Sequence, residues 1–224
     1  MLLLGEAKRI LLPHTPTIEF LTREEFDKME SPRVITTHLQ LNQLPSGLVS
    51  QKCKIVMCHR NPKDVMVSFY HHHLALKQYE YNGKWENYFN RFMEGLIDFG
   101  SWFDYMKYWE NVINDNSDLP IHVMYYEDLK QNGTEQIKKL ADFLGVRYDD
   151  ELIEAIHDMC SFNKMKPDKD QIANKDIKND ESSSFYRKGV IGDWKNWFTV
   201  AQNEYFNKVY EETMKNIKHK FTFE

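Results

Sequence analysis

Cysteine is scarce in this chain. Only Cys53, Cys58 and Cys160 occur among 224 residues, an odd number with no C-x-x-C pair. A disulfide framework is therefore disfavoured and a reducing compartment favoured. A basic excess is also missing: 29 Lys and Arg against 34 Asp and Glu leave a formal net charge of −5. General nucleic-acid binders carry the opposite balance, so any anion site must be local. No apolar run approaches the ~20 residues that span a membrane. Leu2-Leu3-Leu4 is cut short by Gly5-Glu6-Ala7-Lys8-Arg9, too early for a signal-peptide core. No G-x-x-x-x-G-K-[ST] run occurs, which disfavours a P-loop kinase. What remains is a soluble, cytoplasmic chain. Its 42% hydrophobic content suits one substantial core, hence a single domain over 1–224.

Apolar runs and breakers alternate along the chain. Thr22 with Glu25 three residues on marks a short helix over 22–30. Val34-Ile35-Thr36-Thr37-His38-Leu39 is β-branched and short, and predicts a strand with a polar tip. Lys54-Ile55-Val56-Met57-Cys58 predicts a buried parallel strand. Arg60-Asn61-Pro62-Lys63-Asp64 ends it, and with Asn61 as cap and Pro62 at the first turn a helix should run to about Lys77. Val65, Ser68, Phe69 and His72 share one face of that helix. Residues 85–95, 101–114, 134–144, 149–159 and 199–216 predict further helices, and Ile121–Tyr126 a third strand. Residues 163–184 are almost all charged or polar and read as a mobile lid loop. Strands alternating with helices imply an α/β domain with a mostly parallel sheet. In such sheets ligands sit beyond the C-terminal strand ends, where His38, Arg60 and Tyr126 fall.

The chemistry concentrates in Phe185-Tyr186-Arg187-Lys188-Gly189-Val190-Ile191-Gly192-Asp193-Trp194-Lys195. Arg offers a planar donor fork, Lys a point charge, and Gly close backbone approach, the equipment for holding a phosphate. His71-His72-His73 invites a metal reading. However, adjacent helical residues diverge by roughly 100° and cannot all grip one ion, so no metal is expected.

Five segments, in order, resemble the cytosolic sulfotransferases. Pro32–Leu39 is similar to that family's "PR…KTHLP" strand, and Arg60–His71 to its "RNPKDVxVSYYH" turn and helix. Tyr125–Lys130 is similar to "FYEDMK", Arg187–Lys195 to the C-terminal phosphate-binding signature, and Lys195–Glu204 to the "KxxxTVxxxE" dimer motif. The resemblance implies a three-layer, P-loop-NTPase-like fold with a parallel sheet between helices. It implies sulfuryl transfer from 3′-phosphoadenosine 5′-phosphosulfate (PAPS) to a hydroxyl or amine of a small acceptor such as a phenol or steroid. No metal is involved.

By the same resemblance, Arg60 and Ser68 bind the 3′-phosphate from one side and Arg187, Lys188 and Gly189 from the other. Tyr126, Cys160, Phe162, Met165 and Phe185 surround the adenosine. Phe20, Phe69 and His72 line the acceptor pocket. His38 is the general base, a task that suits imidazole, which titrates near pH 6.5 in water. Lys195–Glu204 implies a homodimer. Read without the resemblance, Arg60 could equally cap its helix or pair with Asp64, His38 could be an ordinary partly buried histidine, and Lys195–Glu204 a solvated helix start.

Three departures accompany the likeness. The family's "PKSGTTW" phosphate loop, with its strand and helix, has no counterpart in the 224 residues, so an N-terminally truncated fold, a fragment, is expected. Thr36 stands where the family has a lysine two residues before the histidine, and Cys160 where it has threonine. The alternative to an enzyme is therefore a non-catalytic remnant that binds nucleotide or dimerises.

Overall fold

The computed structural model describes residues 1–8, 16–116, 118–172 and 186–224. In chain order its regular elements are α1 (Arg23–Lys28), α2 (Gly47–Ser50), β1 (Ile55–His59), α3 (Pro62–Ala75), α4 (Trp85–Met93), α5 (Trp102–Asp115) and β2 (Ile121–Tyr125). They continue with α6 (Tyr126–Gln131), α7 (Gly133–Leu144), α8 (Asp150–Met159), α9 (Phe162–Ile172) and α10 (Val200–Met214).

The caps explain many of the helix starts. Thr22 and Thr199 each form a reciprocal capping box, while Asn61, Ser101 and Asp149 accept a backbone N–H through their side chains. α7 ends at Gly145, whose φ of 72° is the left-handed conformation glycine adopts at least cost.

β1 and β2 pair in parallel, Ile55 opposite Ile121 through His59 opposite Tyr125. Alternation along the strands sends Ile55, Met57, Ile121 and Val123 to one face, where they pack with Trp109 and Val112 of α5. On the other face His122 stacks on Phe143 of α7 at 5.1 Å. The parallel sheet is thus flanked by helices, as an α/β fold requires. The larger core is helical and aromatic: Met66, Tyr70, Tyr88, Phe92, Met106 and Phe206 from α3, α4, α5 and α10 close on one another.

Two expectations need correction. Val34–Leu39 is not a strand; Thr36 alone makes an isolated parallel bridge, to Thr17. The stretch has the composition of a strand, but a strand also needs a neighbour along its length, and among the described residues only Thr36 finds one. The face of α3 that carries Val65, Ser68, Phe69 and His72 is only partly buried, with Val65 and Phe69 packed against the core. Ser68 is exposed, and the buried positions are Lys63, Asp64, Met66, Val67, Tyr70 and His73. Finally, the polar run after Ser161 opens as helix α9 through Ile172, where an irregular loop is expected from composition. The remainder of that expected lid, residues 173–184, lies outside the described residues, as does Phe185.

A buried histidine pair ends the sheet. His59 meets the His219 ring edge-on at 4.9 Å, and His219 Nδ1 lies 2.6 Å from the Tyr125 hydroxyl. Burial, with His219 beside it, pushes His59 down to about 4, and burial lowers His219 as well. The folded protein therefore holds these rings neutral while the unfolded chain protonates them near 6.5. Between about 4 and the ordinary 6.5 the unfolded chain binds more protons, so stability is full above that window and is lost as pH falls through it. Thermal unfolding against pH should show a midpoint that is flat above the window and declines within it. His59→Phe should make the decline shallower; an unchanged slope would remove His59 as its source.

Candidate active site

The site is assembled around the N-terminus of α3. Arg60 and Asn61 follow β1, and Asn61 Oδ1 accepts the Asp64 N–H at 2.9 Å. Its own N–H and Nδ2 both donate to Glu127 Oε1, at 2.9 and 3.0 Å, which ties the start of α3 to the first turn of α6. Asp64 then reaches across to the C-terminal loop. Its Oδ2 accepts the Gly192 N–H at 2.8 Å and its Oδ1 the Trp194 N–H at 3.0 Å. Asn61, Asp64 and Glu127 are each almost fully buried. Buried acids persist because hydrogen bonds from fixed donors replace the lost water.

The cations gather on this frame. Arg60 Nη2 donates to the Val190 carbonyl at 3.0 Å, and the guanidinium lies 4.4 Å from the Tyr126 ring centroid and 3.6 Å from Asp64. Both the interactions and the 3′-phosphate expectation for Arg60 are thus compatible: it pairs with Asp64, and its Nε stays buried with no hydrogen-bond partner among the described residues. Arg187 and Lys188 converge on the buried Asp193, Lys188 at 2.7 Å. Burial alone would raise that carboxyl, but hydrogen bonds from Lys188, Asn196 and Arg187 outweigh it and hold it at about 2.

Gly189 has a φ of 66°, and a Cβ there would lie 2.2 Å from the Phe162 ring. Only glycine can lay its backbone against that phenyl group. Phe162, at the start of α9, also meets Tyr186 edge-on at 6.2 Å. Arg60, Tyr126, Phe162, Arg187, Lys188 and Gly189 are therefore brought to one region. Cys160 ends α8 and is exposed, and Met165 is half-buried one turn into α9. Ser68 is exposed on α3.

His71 belongs to this cluster although motif reading did not select it. It packs edge-on against Trp197 at 4.7 Å, and burial, then Arg187, push it down to about 4. Its Nε2 is buried with no hydrogen-bond partner among the described residues. Asp193 and Glu127 were also missed. Asp193 stands within the signature, four residues after Gly189, where an acid between cations was the available signal.

A second group lies toward the other end of α3. Ser68 and His72 are separated by ~6 Å along the helix, at 1.5 Å per residue, so α3 links the two regions. His38 is half-exposed, with its ring stacked on Phe99 at 4.3 Å and 16°. His72 is pushed down to about 4 by burial, then by His73 and by His38 nearby. Phe69 lies against His73 at 4.4 Å and His72 at 6.0 Å. Phe20 follows Glu19 on a short turn and is 76% exposed. His73 turns away, to Asp98 at 2.6 Å. Of the three consecutive histidines, His71 faces Trp197, while His72 and His73 share Phe69 and Tyr79 as neighbours. Among the described residues no group of three His, Cys, Asp or Glu could hold a metal ion.

A family model described as "Sulfotransferase domain" matches residues 11–218. The chain belongs to the sulfotransferase family. Sulfotransferase 1B1 of Canis lupus familiaris is 38% identical over 206 residues, covering 90% of this chain and 68% of that protein. Sulfotransferase 1A1 of Rattus norvegicus is 37% identical over 206 residues, covering 90% and 69%. Among solved structures, mouse sulfotransferase SULT7A1 complexed with PAP superposes with a TM-score of 0.79 at 31% identity, covering 91% of this chain and 75% of that one. Retinol dehydratase in complex with androsterone and the inactive cofactor PAP shares the fold, with a TM-score of 0.77 at 24% identity over 88% and 58%. No helix among the described residues is long and apolar enough to cross a membrane.

Proposed function

We propose that this sulfotransferase-family chain binds PAPS and transfers its sulfuryl group to a hydroxyl or amine of a small acceptor, in the class of phenols and steroids. The carrying observation is the convergence of Arg60, Arg187, Lys188 and Gly189 on one frame, with the buried Nε of Arg60 and Nε2 of His71 lacking partners among the described residues. A phosphate would supply acceptors to donors of this kind. Arg60 and Ser68 would take the 3′-phosphate from α3, and Arg187, Lys188 and the Gly189 backbone from the loop. Tyr126, Cys160, Phe162 and Met165 would flank the adenosine, with Phe185 as a further candidate. Phe20, Phe69 and His72 would face the acceptor.

The transfer balances simply. The acceptor oxygen forms a bond to sulfur while the sulfur–oxygen bond to the 5′-phosphate breaks, and His38 takes the acceptor proton. The nucleotide phosphate leaves with the electron pair. Cations beside the leaving group stabilise the charge that develops there.

A homodimer through Lys195–Glu204 belongs to the same proposal. Val200 is 76% exposed and Tyr205 52%, apolar and aromatic surface at the start of α10. Cytoplasmic residence fits the cysteine usage.

A second reading, nucleotide binding without catalysis, is favoured by Thr36. Its hydroxyl lies 2.9 Å from that of Thr17 and 3.2 Å from the Pro16 carbonyl, and it carries no cation for the transferring group.

Calorimetric titration with 3′-phosphoadenosine 5′-phosphate (PAP) tests the nucleotide site, and transfer from PAPS to a phenol separates the two readings. Saturable binding is expected, with Arg187→Ala weakening it by at least ~10-fold, since a charge-assisted bond is worth about 1.5–3 kcal/mol. Absence of PAP binding would sink both readings; binding without transfer would favour the second.

A further inference from the structure

We propose that Glu19 is the positioning residue of His38, holding the imidazole in the tautomer whose Nε2 is free to accept a proton. This inference rests on the reading of His38 as the base, and it concerns how that base is held. Glu19 Oε1 accepts the His38 backbone N–H at 2.6 Å and lies 3.2 Å from His38 Nδ1. A carboxylate has no proton to give, so the ring nitrogen facing it must be the donor. Nδ1 then carries the hydrogen and Nε2 the lone pair.

The pairing follows from register. Thr17 and Thr36 form a parallel bridge, with the Ile18 N–H donating to the Thr36 carbonyl at 3.0 Å and the Thr36 N–H to the Pro16 carbonyl at 2.8 Å. Two residues past the bridge on each segment stand Glu19, within the 3₁₀ turn Ile18–Phe20, and His38, which the bridge brings alongside each other. Thr36, which takes the place of the family's lysine, therefore contributes to the bridge that aligns the pair.

The carboxylate is sheltered. Its side chain is 12% exposed against 52% for His38, and its Oε2 is buried with no hydrogen-bond partner among the described residues. Burial would raise its titration, yet the hydrogen bonds from His38 outweigh this and keep it below the ordinary carboxylate range. It is thus a charged acceptor with few competitors for its attention.

Phe99 holds the other dimension of the ring. It stacks on His38 at 4.3 Å from a backbone φ of 66°, a left-handed conformation that costs a non-glycine residue about 1–2 kcal/mol. With one edge bonded and one face covered, the remaining edge of the imidazole is the one bearing Nε2. A proton taken there would leave an imidazolium beside a fixed negative charge, the same logic by which acids orient catalytic histidines elsewhere.

The test uses imidazole ¹⁵N spectra of the histidine-labelled full chain, with His38 assigned by its disappearance in His38→Ala, alongside PAPS-dependent turnover. Wild type should show His38 as the Nδ1–H tautomer. Glu19→Ala should move it toward the Nε2–H form and cut kcat by ~10–100-fold, a share of the ~10²–10⁴ that a positioned base supplies. KM for PAPS and affinity for PAP should not change. Glu19→Gln, which keeps an acceptor oxygen but loses the charge, should retain the tautomer and fall between the two in kcat. An Nε2–H tautomer in the wild type overturns the proposal, as does a Glu19→Ala protein with unchanged tautomer. A parallel loss of PAP affinity and thermal stability in both variants would make Glu19 merely structural, and also overturns it. Should His38→Ala keep full turnover, the base reading falls, while the tautomer still decides what Glu19 does.

Discussion

Replacing His38 with alanine is expected to lower sulfuryl transfer by ~10²–10⁴-fold, the range a positioned general base contributes. Binding of PAP should stay intact. The separation follows from α3. The cations Arg60, Arg187 and Lys188 assemble at its N-terminus, whereas His38 lies near His72, toward its C-terminal end. Nothing in the cation frame leans on the imidazole, whose partners are Glu19 and Phe99. The checks are kcat with a phenolic acceptor and a PAP titration on the same preparation. Added imidazole should restore part of the lost rate, because a small base can occupy the vacated space. Unchanged turnover would remove His38 from the role of base. A loss of both turnover and PAP affinity would show that the two regions are not independent.

Asp64→Ala should have the largest effect on the fold of the site. Asp64 is 1% exposed and accepts from two backbone N–H groups of the C-terminal loop and from Asn61 Nδ2. Alanine would strand the Gly192 and Trp194 N–H groups, leave Asn61 Nδ2 with Glu127 alone, and leave Arg60 without its acid 3.6 Å away. Breaking a buried charged contact by removing one partner costs about 3–5 kcal/mol. At ~2–4 °C per kcal/mol for a chain of this size, the unfolding midpoint should fall by roughly 10 °C. PAP binding should be lost with it, since the loop that carries Arg187, Lys188 and Gly189 is held through Gly192 and Trp194. Scanning calorimetry and titration on the variant decide this. An unchanged midpoint would mean that the loop is anchored elsewhere, with the Lys63 contacts to Asn203 and Asn207 the next place to look.

Much of this site was legible because its signals are local. Arg60-Asn61-Pro62 announces a strand end, a cap and a first helical turn within three residues, and β1, Asn61 and α3 follow in that order. Gly189 was readable as a place for close backbone approach, and its neighbour is the Phe162 ring. The helix starts at Thr22 and Thr199 follow the capping chemistry of their own few residues. By contrast, Val34–Leu39 has the composition of a strand and makes a single bridge, because strand formation depends on a partner that composition does not reveal. The opening of α9 was hidden for a related reason: a charged, polar helix shows no apolar stripe, and its turns need only local hydrogen bonds.

Charge neutralisation was the least readable property. Arg187 and Lys188 look like free cations in a line of letters, yet both rest on Asp193, which is held at about 2 by their hydrogen bonds and that of Asn196. Asn61 looks like a simple cap, yet it also carries Glu127 from another strand end. His71, His72 and His73 are adjacent in sequence, yet His71 packs on Trp197, His72 on Tyr79 and Phe69, and His73 bonds Asp98.

By itself, then, the sequence determined the family, the strand-turn-helix around Arg60, the cation pair and glycine of Arg187–Gly189 and the candidacy of His38, since each is written in contiguous residues. The tertiary structure decided which acid answers each cation, which face of α3 is buried, and that Glu19 stands beside His38. The cations meet acids four to six residues away, whereas the grip of Asp64 on the C-terminal loop and the Glu19–His38 pair join segments 130 and 19 residues apart, set by burial and register rather than by any local preference.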